Sequence, residues 1–175
     1  MTVFYEFDEV DSFAAVTVGQ PGARVFYLQA RRGADRVTVR CEKQQVGAIA
    51  QYLRRVLSDL PPPDSRPLPD TVDPRGADRS EAFVLGPIGL GYDRSNDRLL
   101  VQLDELIPSD LADENETAHD PDAALDRSRV RLYVTREQAA LFCEHADHLV
   151  AAGRPSCSWC GLPIDPGGHR CPRMN

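Results

Sequence analysis

Residues 129–138 read Arg129-Val-Arg-Leu-Tyr-Val-Thr-Arg-Glu-Gln138 and divide into an alternating part and a capping part. Apolar residues alternate with arginine and tyrosine up to position 134, which is the period of a strand with one buried face. Thr135 to Gln138 then has the form of a capping box, in which threonine and glutamine satisfy the first free amides of a helix. The segment predicts a strand that leads directly into a helix, which is expected to run to about Ala152.

The same order occurs earlier in the chain. Residues 36–45 read Arg36-Val-Thr-Val-Arg-Cys-Glu-Lys-Gln-Gln45 and align with residues 129–138 at an offset of 93 residues. A helical stripe of apolar residues follows and continues to Leu60. We therefore predict two β-meander-plus-helix units, one of four strands and a helix and one of three strands and a helix, packed as one α+β domain. Duplication is a hypothesis, because the identity between the two units is low.

Alternating apolar residues between turn signals locate the remaining strands. The predicted strands are Val3–Phe7, Phe13–Val18, Val25–Ala30 and Val37–Cys41 before the first helix, and Phe83–Tyr92, Arg98–Leu106 and Arg129–Val134 before the second. The first four are expected to form an antiparallel meander, with a type II turn at Gln20-Pro21-Gly22. Gly86, Gly89 and Gly91 indicate a bulge or a close backbone approach. Pro87 favours an edge position for its strand because proline has no amide to donate.

Two polar segments interrupt the predicted elements. Residues 59–80 contain six prolines and predict a flexible, exposed loop. Residues 108–128 form an acidic loop, which is expected to be a solvated surface insertion; a docking segment is the alternative. The body then comprises residues 1–153, and residues 154–175 form a C-terminal tail.

The tail has the ligand pattern of a metal site. Cys157, Cys160, His169 and Cys171 follow one another as Cys-x2-Cys-x8-His-x-Cys. Three thiolates and one imidazole match a structural Zn²⁺ site in ligand type and number. In the turn after Cys157, backbone amides can point at the thiolate sulfurs and favour their deprotonated form. Gly161 permits the positive φ that such a turn often needs. We expect one structural zinc per chain in a zinc-knuckle-like tail, with metal binding supplying the folding free energy that so small a segment lacks.

Other uses of the cysteines and histidines fit the sequence less well. A disulfide within the tail would leave one of its three cysteines unpaired, and the chain begins with a strand-like segment rather than an export signal. A redox Cys-x-x-Cys pair normally opens a helix, whereas Pro163 follows here. A catalytic zinc needs an open position, which a fourth protein ligand fills. Cys41 and Cys143 are expected in the core, and a second metal site at His145 and His148 is disfavoured.

The charge of the chain limits the classes of partner. The formal net charge is −7 at pH 7, so a broad interface with nucleic acid or with an anionic membrane is disfavoured. No apolar run approaches the length of a transmembrane helix. We therefore expect a cytoplasmic protein whose thiols are reduced.

Three blocks of the sequence carry a resemblance to a known family. They are Gly19-Gln-Pro-Gly-Ala-Arg-Val-Phe-Tyr-Leu-Gln-Ala30, Glu42-Lys-Gln-Gln-Val46 and the tail from Cys157 to Asn175. With these blocks the chain resembles an uncharacterised bacterial family catalogued as a domain of unknown function, and the resemblance spans almost the full chain. That family has no established activity. The resemblance therefore supports the division into body and metal tail and implies no chemistry.

Two kinds of function are compatible with these features. The first is a non-enzymatic adaptor or regulatory protein that recognises another protein, with Trp159 packed on the body or placed at the partner contact. The second is a small-molecule binding protein or enzyme with a pocket for an anionic or phosphorylated ligand. Its candidate residues are Arg24, Tyr27, Gln29, Lys43 and Gln44. The adaptor is favoured, because no nucleophile triad, P-loop, dinucleotide-binding or His-Glu-x-x-His pattern is present.

Overall fold

The structure is a computed structural model that describes residues 2–62, 81–108, 127–165 and 167–173. These residues form seven strands and two helices. The strands are β1 (Phe4–Phe7), β2 (Ser12–Val18), β3 (Val25–Arg32), β4 (Asp35–Cys41), β5 (Phe83–Asp93), β6 (Arg98–Glu105) and β7 (Arg129–Val134), and the helices are α1 (Lys43–Ser58) and α2 (Arg136–Ala151). Four strands precede α1 and three precede α2, which confirms the predicted α+β class and the predicted order of elements.

All seven strands belong to one sheet, in the order β1-β7-β6-β5-β4-β3-β2. β2, β3 and β4 form one antiparallel meander, and β5, β6 and β7 form a second. The two meanders join where β4 lies parallel to β5. Each meander ends in a strand that leads into a helix, so the body contains two strand-and-helix units side by side.

The position of β1 differs from the expected four-strand meander. β1 does not pair with β2; it pairs in parallel with β7, and Phe7 lies opposite Leu132. The Arg129 amide also donates to the Val3 carbonyl oxygen. The prediction was wrong at this strand because an alternating pattern shows that a strand has one buried face, but not which strand it joins.

The short link between β1 and β2 requires the sheet to curve. The two strands lie at opposite edges of the sheet. Six strand spacings would separate the two edges of a flat sheet by about 29 Å. Only residues 8–11 join the two strands, and the five Cα steps of that link reach at most about 19 Å. The sheet therefore bends until its two edges approach each other.

One face of the sheet and the two helices enclose the hydrophobic core. In β7, for example, Val130, Leu132 and Val134 are fully buried, and the residues between them are not. α2 packs against α1 and against β2, where Phe142 stacks on Phe13 with ring centroids 4.7 Å apart. The core is continuous across the two units.

The two helices contact each other at positions that the 93-residue offset relates. The Cys143 thiol donates to the Ala50 carbonyl oxygen over 3.4 Å, and Arg54 Nη2 lies 2.7 Å from the Asp147 carboxylate. Both pairs are separated by 93 residues in the chain. Because contacts between equivalent residues recur about one turn further along, the helices run parallel and in register.

Gln45 and Gln138 are related by the same offset, and they make equivalent contacts. Gln45 Nε2 donates to the carbonyl oxygens of Leu85 and Gly86 in β5, the parallel neighbour of β4. Gln138 Nε2 donates to the Val10 carbonyl oxygen at 2.7 Å, just after β1, the parallel neighbour of β7. Relative to β7 and α2, β1 therefore occupies the position that β5 occupies relative to β4 and α1. These equivalent contacts support the hypothesis of duplication.

Pro87 does not lie in an edge strand. β5 lies between β6 and β4, but its pairing with β4 covers Phe83 and Val84 alone. The pairing of β5 with β6 shifts register between Leu85 and Ile88, which confirms the predicted bulge. Proline is tolerated here because the bulge interrupts the ladder of amide hydrogen bonds at this point.

Two predictions concern segments that lie mostly outside the described residues. Residues 63–80 of the proline-rich loop and residues 109–126 of the acidic loop are not described. The flexibility of the first segment therefore stays a prediction, and so does the surface insertion expected for the second, with docking as its alternative.

Both helices are short. Each contains 16 residues, and each has charged residues along its exposed side. A membrane span requires about 20 predominantly apolar residues. Within the described ranges, no helix has the length and apolar character to cross a bilayer.

Candidate metal centre

The first half of the tail is a tight turn around Cys157. Ser156 and Pro163 form an antiparallel bridge at its base. Inside it, the Cys157 amide donates to the Leu162 carbonyl oxygen and the Gly161 amide donates to the Cys157 carbonyl oxygen, both at 2.8 Å. Gly161 has a φ of +74°, which is strained for any residue with a Cβ. The turn therefore depends on glycine at this position, as the sequence predicts.

A second turn returns the chain to the first. The Ile164 amide donates to the Pro155 carbonyl oxygen, and the Gly168 amide donates to the Asp165 carbonyl oxygen, each at 2.8 Å. Gly168 has a φ of +88°, so the second turn also uses glycine in the left-handed region. This reversal brings His169 beside the first pair of cysteines.

The four predicted ligands converge. The sulfurs of Cys157, Cys160 and Cys171 and a ring nitrogen of His169 all lie within 4.8 Å of one another. The sulfur of Cys157 is 3.9 Å from that of Cys171, and the sulfur of Cys160 is 3.3 Å from His169 Nε2. Metal–sulfur and metal–nitrogen bonds of zinc length place neighbouring tetrahedral ligands about 3.6–3.8 Å apart. The cluster is therefore compatible with one tetrahedral metal ion.

Backbone amides favour the thiolate form of Cys157. The amides of Cys160 and Trp159 point at the sulfur of Cys157 and lower the pKa of that thiol. The Leu162 amide acts in the same direction on Cys160, but desolvation and the neighbouring Cys171 and Cys157 thiols outweigh it and raise the pKa of Cys160. Two thiolates side by side repel each other, so a cation between them is the arrangement that favours full deprotonation.

The histidine ring has one nitrogen toward the sulfurs and one away from them. Nε2 of His169 faces Cys160 at 3.3 Å. Its Nδ1 is buried and has no hydrogen-bond partner among the residues that the structure describes. Nε2 is therefore the nitrogen that would bind a metal ion, and the proton of the neutral ring would stay on Nδ1.

Exposure divides the tail into an inner ligand cluster and an outer apolar surface. Cys157 is buried, and the other three ligands are half-buried. Trp159 is 64% exposed and Leu162 is 50% exposed, although both are apolar. Of the two placements considered for Trp159, the structure therefore excludes close packing on the body.

The tail contacts the body at the turn between β2 and β3. Arg154 Nη1 lies 2.5 Å from the Asp165 carboxylate, so this ion pair links the start of the tail to its second turn. A Cβ at Gly22 would lie 3.2 Å from Cδ of Arg154. The Ala23 amide donates to the Gln20 carbonyl oxygen and Gly22 has a φ of +97°, which confirms the predicted type II turn.

A pocket of about 220 Å³ lies at this junction. Its lining residues are Gly22, Arg24, Phe26, Lys43, Leu149, Gly153 and Arg154. Of the predicted ligand-pocket residues, Arg24 and Lys43 meet there. Tyr27 and Gln29 alternate with the core residues of β3, so they lie on the other face of the sheet. Gln44 is exposed at the start of α1 and does not line the pocket.

The two cysteines of the body are core residues, as predicted. Burial raises the pKa of Cys41 to about 12 and that of Cys143 to about 11, so both remain neutral thiols at pH 7. His145 and His148 belong to no group of three or more potential ligands among the described residues. Within the described part of the chain, the tail holds the one group of His, Cys, Asp and Glu side chains that could bind a metal ion.

Two features of the structure were not predicted from the sequence, one at the pocket and one in the body. Arg154 was not recognised as a pocket residue, because the pocket joins residues more than 100 positions apart and no local pattern marks it. The bridging role of Gln45 and Gln138 was also missed. The offset of 93 residues was a usable signal for the second feature, because it relates one glutamine to the other.

Comparison with known proteins identifies a family and no characterised relative. A family model with the description "Protein of unknown function (DUF3090)" matches residues 5–171. No curated protein and no solved structure matches the chain. The matched range contains nearly the whole sheet, both helices and all four candidate metal ligands, so the match covers both body and tail.

Proposed function

The chain belongs to the DUF3090 family, and we propose that it is a zinc-binding adaptor or regulatory protein that acts through protein–protein contacts. One observation carries the proposal. Four ligand atoms lie within 4.8 Å of one another, while Trp159, between two of the ligands, is 64% exposed. The metal would then shape a small element whose large apolar side chain is available to a partner.

Zinc is the metal that the donor set favours. Thiolate and imidazole ligands select soft and borderline ions, and the ligand spacing suits tetrahedral coordination. Iron also binds tetrahedral thiolate sites, but its mononuclear sites and clusters usually have four cysteines. Three cysteines and one histidine are a common set in structural zinc sites.

The site is proposed to be structural rather than catalytic. Four protein ligands complete a tetrahedron and leave no position for water or substrate. The described residues of the tail contain no helix and only the bridge between Ser156 and Pro163. A segment of this kind takes most of its folding free energy from metal binding, roughly 10–16 kcal/mol in small zinc-dependent domains.

The partner is proposed to be a protein with an apolar cleft bordered by carboxylates. Trp159 and Leu162 are exposed apolar side chains, and buried tryptophans are frequent energetic centres of interfaces. Arg170 and Arg173 are exposed cations in the same short tail. The tail holds three arginines and one aspartate, whereas the chain as a whole has a net charge of −7. Three thiolates and one Zn²⁺ ion together add a charge of −1. The side chains and metal of the zinc-loaded tail therefore sum to +1, and the tail is the basic element of an acidic protein.

We place the protein in the cytoplasm. Its three tail cysteines bind a metal only as free thiolates, and a reducing compartment keeps them free. All five cysteines of the structure are unpaired.

Metal analysis tests the first half of the proposal. We expect one zinc per chain in protein purified without added metal, and none after Cys157→Ser. Cys143→Ser is the matched control, because Cys143 lies in the core and contacts the Ala50 carbonyl rather than the metal cluster. A wild-type chain without zinc, or with iron in its place, would contradict the assignment.

A partner-binding measurement tests the second half. A candidate partner captured by the tail is purified, and its affinity for the chain is measured directly. Trp159→Ala should keep the zinc and weaken binding about tenfold or more, which is typical of a central interface tryptophan. Phe4→Ala is the control, because Phe4 is 59% exposed but lies in β1. Equal losses from both substitutions, or no loss from either, would refute a specific role for the tail.

A small-anion pocket near Arg24 and Lys43 is the second candidate. The observation in its favour is that both cations line one pocket. A ligand of this pocket should raise the melting temperature, and Arg24→Ala should abolish the rise. A screen of nucleotides, phosphosugars and inositol phosphates that finds no rise would count against it.

A further inference from the structure

The pocket at the junction of body and tail is lined by cations from three parts of the chain. Arg24 comes from the turn before β3, Lys43 from the first position of α1 and Arg154 from the start of the tail. Phe26 and Leu149 supply apolar wall. The third cation is thus contributed by the segment that the metal cluster holds in shape.

Among the described residues, no carboxylate lines this pocket. Among the residues that the structure describes, Lys43 takes part in no ion pair, and Arg24 makes a single long hydrogen bond of 3.4 Å to the Leu149 carbonyl oxygen. Arg154 is paired, but with Asp165, which lies outside the lining. In a chain of net charge −7, a pocket whose described lining has three cations and no acidic side chain is unusual, and an anion would balance its charge.

The end of α2 explains only part of this arrangement. Cations are favoured near the C-terminus of a helix, and the bond from Arg24 to Leu149 is an example. Lys43 Nζ makes no such bond among the described residues. It nevertheless lies close to the end of α2, because a Cβ built at Gly153 would be 3.4 Å from it. The helix end therefore accounts for one of the three cations.

We propose that this pocket binds a phosphate group, either as inorganic phosphate or as a small phosphate monoester. Two guanidinium groups and one ammonium match the charge and the many acceptor oxygens of a phosphate. A volume of about 220 Å³ admits a phosphate with a short organic group. Glycine at positions 22 and 153 leaves the space open.

Phosphate binding and metal binding are coupled through Arg154. Arg154 lies three residues before Cys157, and its partner Asp165 lies four residues before His169, so both depend on the fold of the tail. Without metal the tail loses its shape, and the pocket loses its third cation. By linkage, each ligand raises the affinity for the other by the same factor. This coupling rests on the metal-held tail proposed above, whereas the contribution of Arg24 and Lys43 does not.

Titration calorimetry with the full, metal-loaded chain tests the pocket. Inorganic phosphate and glycerol phosphate are the two probes, with chloride matching the ionic strength. Arg24→Gln and Lys43→Gln should each weaken phosphate binding about tenfold or more. Gly153→Leu should block the pocket without removing a charge. Arg40→Gln, an exposed cation of β4 outside the pocket, should change the affinity less than about twofold.

A second titration tests the coupling. Zinc affinity is measured by competition with a chelator, with and without phosphate, and phosphate affinity is measured before and after chelation. The factor by which phosphate raises the zinc affinity should equal the factor by which zinc raises the phosphate affinity. Both should be about fivefold or more. Arg24→Gln should abolish the effect of phosphate on zinc affinity, which separates coupling from direct binding of phosphate to zinc.

The outcomes separate this inference from the proposed function. The phosphate site deepens the small-anion pocket proposed above as the second candidate function and rests on it. No binding of either probe to the metal-loaded chain, or equal binding by Arg24→Gln, Lys43→Gln and Arg40→Gln, would overturn the phosphate site and leave the zinc adaptor intact. A chain that binds no zinc but binds phosphate through Arg24 and Lys43 would refute zinc binding by the proposed adaptor. The phosphate site would still be supported. Phosphate affinity that is unchanged by chelation would overturn the coupling.

Discussion

Gln138→Ala is expected to destabilise the body by removing the contact between α2 and the N-terminal strand. Gln138 Nε2 donates to the Val10 carbonyl oxygen at 2.7 Å, and its Oε1 accepts from the Thr135 amide at 3.0 Å. The first bond joins residues 128 positions apart, and the second begins the helix. The substitution therefore breaks a helix cap and a long-range link at once.

The structure sets the magnitude of this loss. Each of the two hydrogen bonds contributes about 1 kcal/mol net, and a buried carbonyl left without a donor costs about 1–3 kcal/mol. Val10 is 7% exposed, so water has limited access to replace the lost donor. We expect a decrease of about 2–4 kcal/mol in the free energy of unfolding. For a chain of this length, such a decrease lowers the melting temperature by about 4–16 °C.

Urea unfolding followed by circular dichroism measures the effect. The midpoint should fall while the denaturant slope stays the same, because the native fold is retained. Gln45→Ala should behave similarly, since Gln45 makes the equivalent bonds to Leu85 and Gly86. Gln44→Ala is the matched control: Gln44 is an exposed neighbour in the same helix turn, and its substitution should change stability by less than about 0.5 kcal/mol.

A loss below about 0.5 kcal/mol for Gln138→Ala would refute this reasoning. It would mean that β1 is held by its pairing with β7 alone and that the two glutamines are not equivalent. A large loss for Gln45→Ala and none for Gln138→Ala would argue against the second unit being a copy of the first.

Two further predictions concern charge and thiol chemistry. Hydrogen bonds, led by that from the Ser95 hydroxyl, hold the pKa of Asp93 at about 2, below its ordinary value of 3.8. Its contribution to stability is therefore present above pH 3.8 and is lost as the pH falls toward 2, so the difference in urea midpoint between wild type and Asp93→Ala should shrink over that range. Burial raises the pKa values of Cys41 and Cys143, so these two thiols should react slowly with a thiol reagent at pH 7. We expect no fast-reacting thiol in the zinc-loaded chain, the three tail thiols after chelation, and all five after unfolding. A fast thiol before chelation would indicate that Cys157 and its neighbours are not bound to metal.

Local patterns were sufficient to locate the elements of the body. The strand Arg129–Val134 has the bounds that its alternation predicts, and α2 begins after the predicted cap at Thr135. Burial of alternate residues and satisfaction of the first helix amides are both decided within a few residues of chain. Prediction from the sequence therefore succeeds for these features.

The partner of β1 could not be predicted in this way. A strand carries the same alternation whether it joins β2 or β7, and a short link favours the nearer partner in sequence. The curvature of the sheet decides otherwise, because it brings the β7 edge close to residues 8–11. Curvature is a property of all seven strands together.

The sequence alone identified the candidate metal ligands, because Cys157, Cys160, His169 and Cys171 lie within one short segment whose turns can bring them to a single point. It also determined the order of strands and helices. Only the tertiary structure decided that β1 completes the second unit, that Trp159 faces solvent, and that Arg154 joins Arg24 and Lys43 around one pocket. These three results depend on packing between segments far apart in the chain, and no local preference of a residue specifies such packing.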